Sequence, residues 1–209
     1  MIIGILAFLA AIFSAYIIGS FPTSYLMTKA IKGTDIRNSG SGNAGATNVL
    51  RTVGKLPALV TLLVDIFKGA FAVNIVGNFF YGYGVAFDYD FYRGLLGLVV
   101  VSGHIWPIFL KFRGGKGVAT MIGVGFVLAP AALWPTIAIW VIVFMISNYV
   151  SLASIVALVA FPIIAIVMNT ATYVVLFSIA VCGLSIYKHK ENIQRLLKGE
   201  ENKIKLSKS

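Results

Sequence analysis

Long apolar runs, each closed by a short polar or glycine- and proline-rich interruption, follow one another along the whole chain. They cover residues 2–28, 56–87, 93–110, 118–133, 134–150, 152–168 and 171–187. No charged side chain precedes Lys29, and none occurs between Gly117 and Tyr187. Inside that charge-free block Pro130, Pro135 and polar clusters at 148–154 and 169–172 mark the breaks. Crossing about 30 Å of hydrocarbon takes roughly 20 helical residues, so the block alone holds about three or four crossings. Helices are expected because each satisfies its backbone polar groups within the segment. The runs lack the alternation of a lipid-facing barrel strand. The pattern predicts an all-α integral membrane protein, a helical bundle of about seven transmembrane helices, with five the alternative if the shorter runs do not cross. Residues 1–209 are read as one transmembrane domain. The first run is expected to be a retained helix, since it is too long for a signal peptide and lacks a basic start.

Composition narrows the class. The chain is 59% apolar and 11% charged, where soluble domains run at about 45–50% and roughly 25%. A soluble fold of this size cannot bury so much apolar surface. The single cysteine, Cys182, excludes a disulfide framework and a cysteine-rich metal site. The net charge of +10 is unevenly placed. Residues 29–55 carry Lys29, Lys32, Arg37, Arg51 and Lys55 against Asp35, and residues 111–117 carry Lys111, Arg113 and Lys116 with no acid. The tail 188–209 carries Lys188, Lys190, Arg195, Lys198, Lys203, Lys205 and Lys208 against Glu191, Glu200 and Glu201. The 88–93 loop instead has Asp88 and Asp90 against Arg93. Basic loops stay cytoplasmic. Seven crossings put all three basic segments on that side, with the N-terminus outside and the C-terminus inside. Beyond Arg195 the tail charges need do no more than orient the chain and touch anionic lipid.

The loops hold more than orienting charge. Residues 35–51 read DIRNSGSGNAGATNVLR. Gly40, Gly42 and Gly45 fit G-x-G-x-x-G, but no strand precedes them and the following Asp65 lies in an apolar helix, so a dinucleotide fold is excluded. Glycines still let backbone N–H groups approach an anion. Ser41, Asn43, Thr47 and Asn48 add donors, and Arg51 adds a charged fork. The segment is read as an anion site, with a flexible polar loop as the bland alternative. The second loop contains Gly114, Gly115, Lys116 and Gly117. It is not a Walker A loop, because Gly117 follows the lysine and the four-residue spacer is missing. A glycine-flanked lysine opening a helix at Val118 is nevertheless a good phosphate cradle, helped by the helix's free N–H groups and partial positive charge. A tight turn is the alternative.

Other polar residues leave two readings open. His104, before Trp106 and Pro107, is either a helix-packing residue or a catalyst. Asp65 and Lys68, at i, i+3 in an apolar run, fit a structural ion pair or a substrate contact. Ser147, Asn148, Ser151 and Ser154 either pack helices or line a polar pocket. His189 and Asn192 share one helix face. No G-x-S-x-G elbow and no H-x-E zinc motif occurs, so no metal and no covalent nucleophile is assigned.

GSGNAGATNVLR at 40–51, GHIWPIFLKFRGGKGVAT at 103–120 and HKENIQRLLKGEE at 189–201 resemble the three motifs of the PlsY family. These are the bacterial acyl-phosphate:glycerol-3-phosphate acyltransferases. GSFPTSY at 19–25 and DIFKG at 65–69 match as well, so the resemblance covers essentially the whole chain. The H-x-x-x-x-D pattern of other glycerolipid acyltransferases is absent, since Phe109 and Gln194 stand where its acid would follow His104 and His189. The resemblance implies transfer of a fatty acyl group from acyl phosphate to the sn-1 hydroxyl of glycerol 3-phosphate. The products are lysophosphatidic acid and inorganic phosphate, the first step of phospholipid synthesis, and the family uses no cofactor. Ser41, Arg51, Lys116, His189 and Asn192 would hold the polar substrate, and the 114–117 turn with Thr47 would hold phosphate. Arg51, Lys116 and His189 are the expected catalytic charges; Gly42, Asn43, Asn48 and Ser154 complete the expected binding set. The implied partners are the two substrates, membrane lipid and a soluble acyl-phosphate-forming acyltransferase upstream, with no nucleic acid. The implied location is the bacterial inner (cytoplasmic) membrane, multi-pass, with the active site facing the cytoplasm.

The residue chemistry fits this independently. Two phosphate groups, each carrying about −1.5 to −2 near neutral pH, repel unless cations intervene, and Arg51, Lys116 and a protonatable His189 supply them. An acyl phosphate is already activated, so direct attack suffices. The hydroxyl proton goes either to His189 or to a substrate phosphate. A transporter of organic phosphates is the alternative, and a non-catalytic lipid-binding scaffold a weaker one. Transporters, however, place binding near the midplane between repeats, whereas the motifs here cluster at one face.

Overall fold

The computed structural model describes residues 1–204; the expected tail charges Lys205 and Lys208 lie outside the described residues. Every regular element among the described residues is helical. The chain divides into two compact units, one ending at Leu128 and the other beginning at Ala129.

The first unit begins with α1 (Ile2–Ser20) and α2 (Thr23–Lys32), broken at Phe21 and Pro22. A short 3-10 turn (Ile36–Asn38) and α3 (Ala46–Thr52) follow. Next come α4 (Lys55–Phe71), a π-helical turn (Ala72–Val76), α5 (Gly77–Tyr81), α6 (Tyr89–Ile105) and α7 (Val118–Leu128). Without a hydrophobic drive between helices in lipid, small residues that let backbones meet set the packing. A Cβ on Gly123 of α7 would lie 1.9 Å from the Ile66 carbonyl oxygen of α4, and one on Gly103 of α6 would lie 2.5 Å from that of Tyr16 on α1. Tyr92, Leu96, Val100, Val101 and Ile105 of α6 are fully buried, while Ile2, Ile5, Leu6, Leu9 and Phe13 of α1 are exposed. That inversion marks α1 as lipid-facing.

The second unit holds α8 (Pro130–Ser147), α9 (Val150–Val167), α10 (Thr172–Lys188) and α11 (Lys190–Leu197). Asn148, in the left-handed region at φ 61°, ends α8 and turns the chain into α9. The Trp140 indole donates to Ser154 Oγ across this pair at 3.1 Å. At His189 the chain bends by 60° from α10 into α11. The segment after α11 folds back, with Ile204 N donating to Asn148 O at 3.0 Å. The first part of the tail is therefore packed structure, which its charge pattern did not reveal.

Ile2–Lys32, Lys55–Tyr81, Tyr89–Leu110, Pro130–Ser147 and Val150–Val167 are long and apolar enough to cross a membrane, and the bent pair α10–α11 gives a sixth. The difference from the expected seven falls on 118–133. Pro130 starts a new helix, a position where its missing N–H costs nothing, so the run is cut to Val118–Leu128, 11 residues. Pro135, expected to divide two helices, lies inside α8 instead.

Candidate active-site elements

In the first unit the 35–51 segment is built around two side chains. Asp35 caps the 3-10 turn by accepting from Arg37 N at 2.9 Å, and the Arg37 guanidinium grips the same carboxylate, with Nη2 at 2.6 Å from Oδ2. Arg37 Nη1 also donates to Leu110 O at 2.7 Å, tying this segment to the turn after α6. The hydrogen-bonded fork holds the Asp35 carboxyl below its ordinary value. Asn48 is the second organiser. It is 1% exposed; its Nδ2 donates to Ser39 O at 2.9 Å and Asn43 O at 3.0 Å, and its Oδ1 accepts from Ser41 N at 3.0 Å. Asn48 thus gives the segment its shape, rather than standing as an outward donor. Around it Ser41, Gly42 and Arg51 are exposed, and Asn43 and Thr47 half-buried.

The 114–117 turn is packed against the end of α6. Gly114 N donates to Ile105 O at 3.2 Å and Gly115 N to His104 O at 3.1 Å, so neither amide is aimed at an anion. Their lack of a side chain serves close approach. A Cβ on Gly114 would lie 2.1 Å from His104 O, and one on Gly115 would lie 2.2 Å from His104 Nε2. Gly117, at φ 86°, turns the chain into α7. The donors that can meet a phosphate are therefore Lys116 and the first N–H groups of α7, which have no acceptor within the helix. Gly114 and Gly115, expected in a phosphate cradle, are here packing positions whose amides are taken up by the end of α6.

Asp65, Lys68 and His104 lie together behind the turn. Lys68 Nζ stands 2.7 Å from Asp65 Oδ1, and His104 Nδ1 stands 3.6 Å from the same oxygen. The pair read from i, i+3 spacing is thus present. Thr23, which sequence reasoning did not single out, donates to Asp65 Oδ1 at 3.3 Å.

In the second unit His189 and Asn192 are 3% and 5% exposed. His189 Nδ1 lies 2.7 Å from Ser185 O, so it carries a proton and Nε2 is the basic nitrogen of the neutral ring. Asn192 Nδ2 donates to Glu201 Oε1 at 2.8 Å, Ser151 Oγ donates to the same oxygen at 2.9 Å, and Arg195 Nε donates to Oε2 at 2.8 Å. Burial pushes the Glu201 carboxyl up, but bonds from Arg195, Asn192 and Ser151 outweigh it and hold it below the ordinary value. Glu201, the last residue of the third motif, is a second residue whose role the sequence does not reveal. Ser154 accepts from Trp140, which favours helix packing.

Comparison with known proteins identifies the family. The family profile described as glycerol-3-phosphate acyltransferase matches residues 9–199. A glycerol-3-phosphate acyltransferase of Thermoanaerobacter sp. is 42% identical over 190 residues, 91% of this chain and 92% of the relative. Glycerol-3-phosphate acyltransferase 2 of Moorella thermoacetica is 44% identical over 196 residues, 94% of this chain and 97% of the relative. The crystal structure of PlsY, an integral membrane glycerol 3-phosphate acyltransferase, in its glycerol 3-phosphate form matches with a TM-score of 0.86. It is 36% identical, and the match covers 94% of this chain and 95% of that one. With its apolar helices and motif segments, this chain belongs to the PlsY family of integral membrane glycerol-3-phosphate acyltransferases.

Proposed function

We propose that this acyltransferase draws its acyl group from a fatty acyl phosphate and delivers it to the sn-1 hydroxyl of glycerol 3-phosphate. The hydroxyl oxygen attacks the acyl carbonyl carbon, the bond from that carbon to the phosphate oxygen breaks, and lysophosphatidic acid and inorganic phosphate leave. The observation that carries this is the turn at 114–117, where Lys116 stands between two glycines at the start of α7. A lysine beside helix N–H groups suits a departing phosphate. The donor is a mixed anhydride, so no covalent acyl-enzyme is needed. Positioning contributes roughly 7–11 kcal/mol at best.

Arg51, Lys116 and His189 are the proposed cations for the two phosphate groups. Ser41, Gly42, Asn43 and Asn192 bind the polar substrate, Gly114, Gly115 and Gly117 form the phosphate turn, and Thr47 adds a donor to it. Asn48 acts at one remove by shaping its segment, and Ser154 by its bond to Trp140. The hydroxyl proton passes to a substrate phosphate, whose second pKa is about 6. Both compact units serve one acyltransferase domain, a reading supported by the family match across their boundary. The chain resides in the bacterial inner membrane with its basic segments and active site cytoplasmic, and a soluble acyl-phosphate-forming enzyme supplies the donor.

The test is purified protein with acyl phosphate and radiolabelled glycerol 3-phosphate. Lysophosphatidic acid forms without coenzyme A, and Lys116→Ala lowers the rate by about 100-fold or more. Uptake of glycerol 3-phosphate into liposomes without acylation overturns the assignment in favour of transport. Near-normal turnover of an uncharged glycerol analogue overturns proton transfer to the glycerol 3-phosphate phosphate alone.

A further inference from the structure

Behind the phosphate turn lies a buried group of charges for which the chemistry above has no task. Asp65 and Lys68 pair at 2.7 Å on one face of α4, with side chains 3% and 6% exposed. Asp65 Oδ1 is the focus of the group, receiving Lys68, the Thr23 hydroxyl at 3.3 Å and the His104 Nδ1 edge at 3.6 Å. Lys68 Nζ also donates to Phe21 O at 3.2 Å, where α1 gives way to α2. A buried ion pair is a weak source of stability, because desolvation offsets its attraction. Packing alone therefore does not explain three ionisable groups here.

Their contacts do. His104 is joined to the turn twice. Its carbonyl accepts the Gly115 N–H at 3.1 Å, and its ring sits where a Gly115 Cβ would fall, 2.2 Å from Nε2. Ala44 O lies 2.9 Å from the same Cβ position, so the His104 ring and the 35–51 segment both close on one side of Gly115. Gly114 is likewise fixed by Ile105 O. Lys116 is the next residue in the chain.

We propose that Asp65, Lys68 and His104 are positioning residues for the phosphate turn. Lys68 and Thr23 fix the Asp65 carboxylate, Asp65 orients the His104 ring, and that ring with its own carbonyl fixes Gly115 and hence the backbone carrying Lys116. This rests on the turn being the phosphate site proposed above. The formal charges of Asp65 and Lys68 cancel, so the device aims the turn without opposing the charge of Lys116. Fixed donors hold a phosphate well only when they need not move to meet it.

The experiment uses the full chain in lipid vesicles and measures kcat, both Michaelis constants and the inhibition constant of inorganic phosphate. His104→Gln and Asp65→Asn raise the Michaelis constant for acyl phosphate and the phosphate inhibition constant together, by about tenfold. Thr23→Val, a milder change that removes one hydrogen bond, moves both by about two- to threefold. Thr23→Val and His104→Gln keep the test open if Asp65→Asn, which strands Lys68, fails to fold. Folded His104→Gln protein with unchanged phosphate inhibition overturns the proposal. So does a fall in kcat alone with every other constant preserved, the mark of a purely structural role. If the wild-type chain forms no lysophosphatidic acid, the functional assignment fails instead. Calorimetric titration of the same variants with inorganic phosphate then still decides whether His104 sets phosphate affinity.

Discussion

Glu201 illustrates how one carboxylate organises a site from outside its motif core. It gathers Ser151 from α9 with Asn192 and Arg195 from α11, and so fixes the amide that faces the same way as His189 on the helix. Because its folded pKa is depressed, its contribution to stability is fully present above its unfolded value, 4.5, and is lost as pH falls through the lower folded value. Glu201→Gln should therefore lower the thermal midpoint at pH 7 but narrow its gap to wild type as the pH approaches the folded value. A gap independent of pH would contradict this. His189 and Asn192 were legible from sequence because i, i+3 spacing fixes a shared face. Glu201 was not, because its partnership with Ser151 joins residues far apart in the chain. Asn48 was legible as a polar group but not in its role. Only the fold shows that its amide is turned inward onto Ser39, Ser41 and Asn43.

Helices were the easier level to read. Hydrophobic runs locate α1, α4, α6, α9 and α10 because lipid demands a continuous apolar surface on each. Where two signals competed, the pattern misled: Pro130 and Pro135 both read as breaks, yet only the first begins a helix. The close pairing of α4 with α7 left only a stripe of small residues as its trace. Gly123 meets the Ile66 carbonyl oxygen at a distance no side chain tolerates, 1.9 Å from an ideal Cβ. Gly123→Ala must push the helices apart at a cost of about 1–3 kcal/mol. Because α7 begins at the proposed phosphate turn, that displacement should also weaken inhibition by inorganic phosphate. Thermal unfolding in detergent and a phosphate titration read the two effects separately. A variant as stable as wild type would show that α4 and α7 separate without cost.

At the scale of the whole molecule, charge and length argue in opposite directions over α7. Its 11 residues rise about 16 Å as an α-helix, roughly half of the hydrocarbon thickness. By length alone it does not cross. The placement of basic residues favours a crossing: if α7 turned back, the lysines and arginines after Tyr187 would be expected opposite Lys111, Arg113 and Lys116, against the rule that short basic segments stay inside. The two can be reconciled if the 114–117 turn itself lies below the membrane surface. Non-helical backbone is tolerated at that depth only where protein or water satisfies its polar groups, and the Gly114 and Gly115 amides are satisfied by Ile105 O and His104 O. The expectation is a full crossing made of turn plus short helix. Replacing Cys182 by Ser gives a thiol-free background, in which single cysteines report the side of each loop to a membrane-impermeant reagent. Asp90→Cys and Asn169→Cys should be labelled from outside intact cells, while Lys32→Cys and Lys198→Cys should be labelled only after the membrane is opened. Labelling of Lys198→Cys from outside, with Asn169→Cys protected, would place the tail on the outer face and make α7 a re-entrant hairpin rather than a crossing.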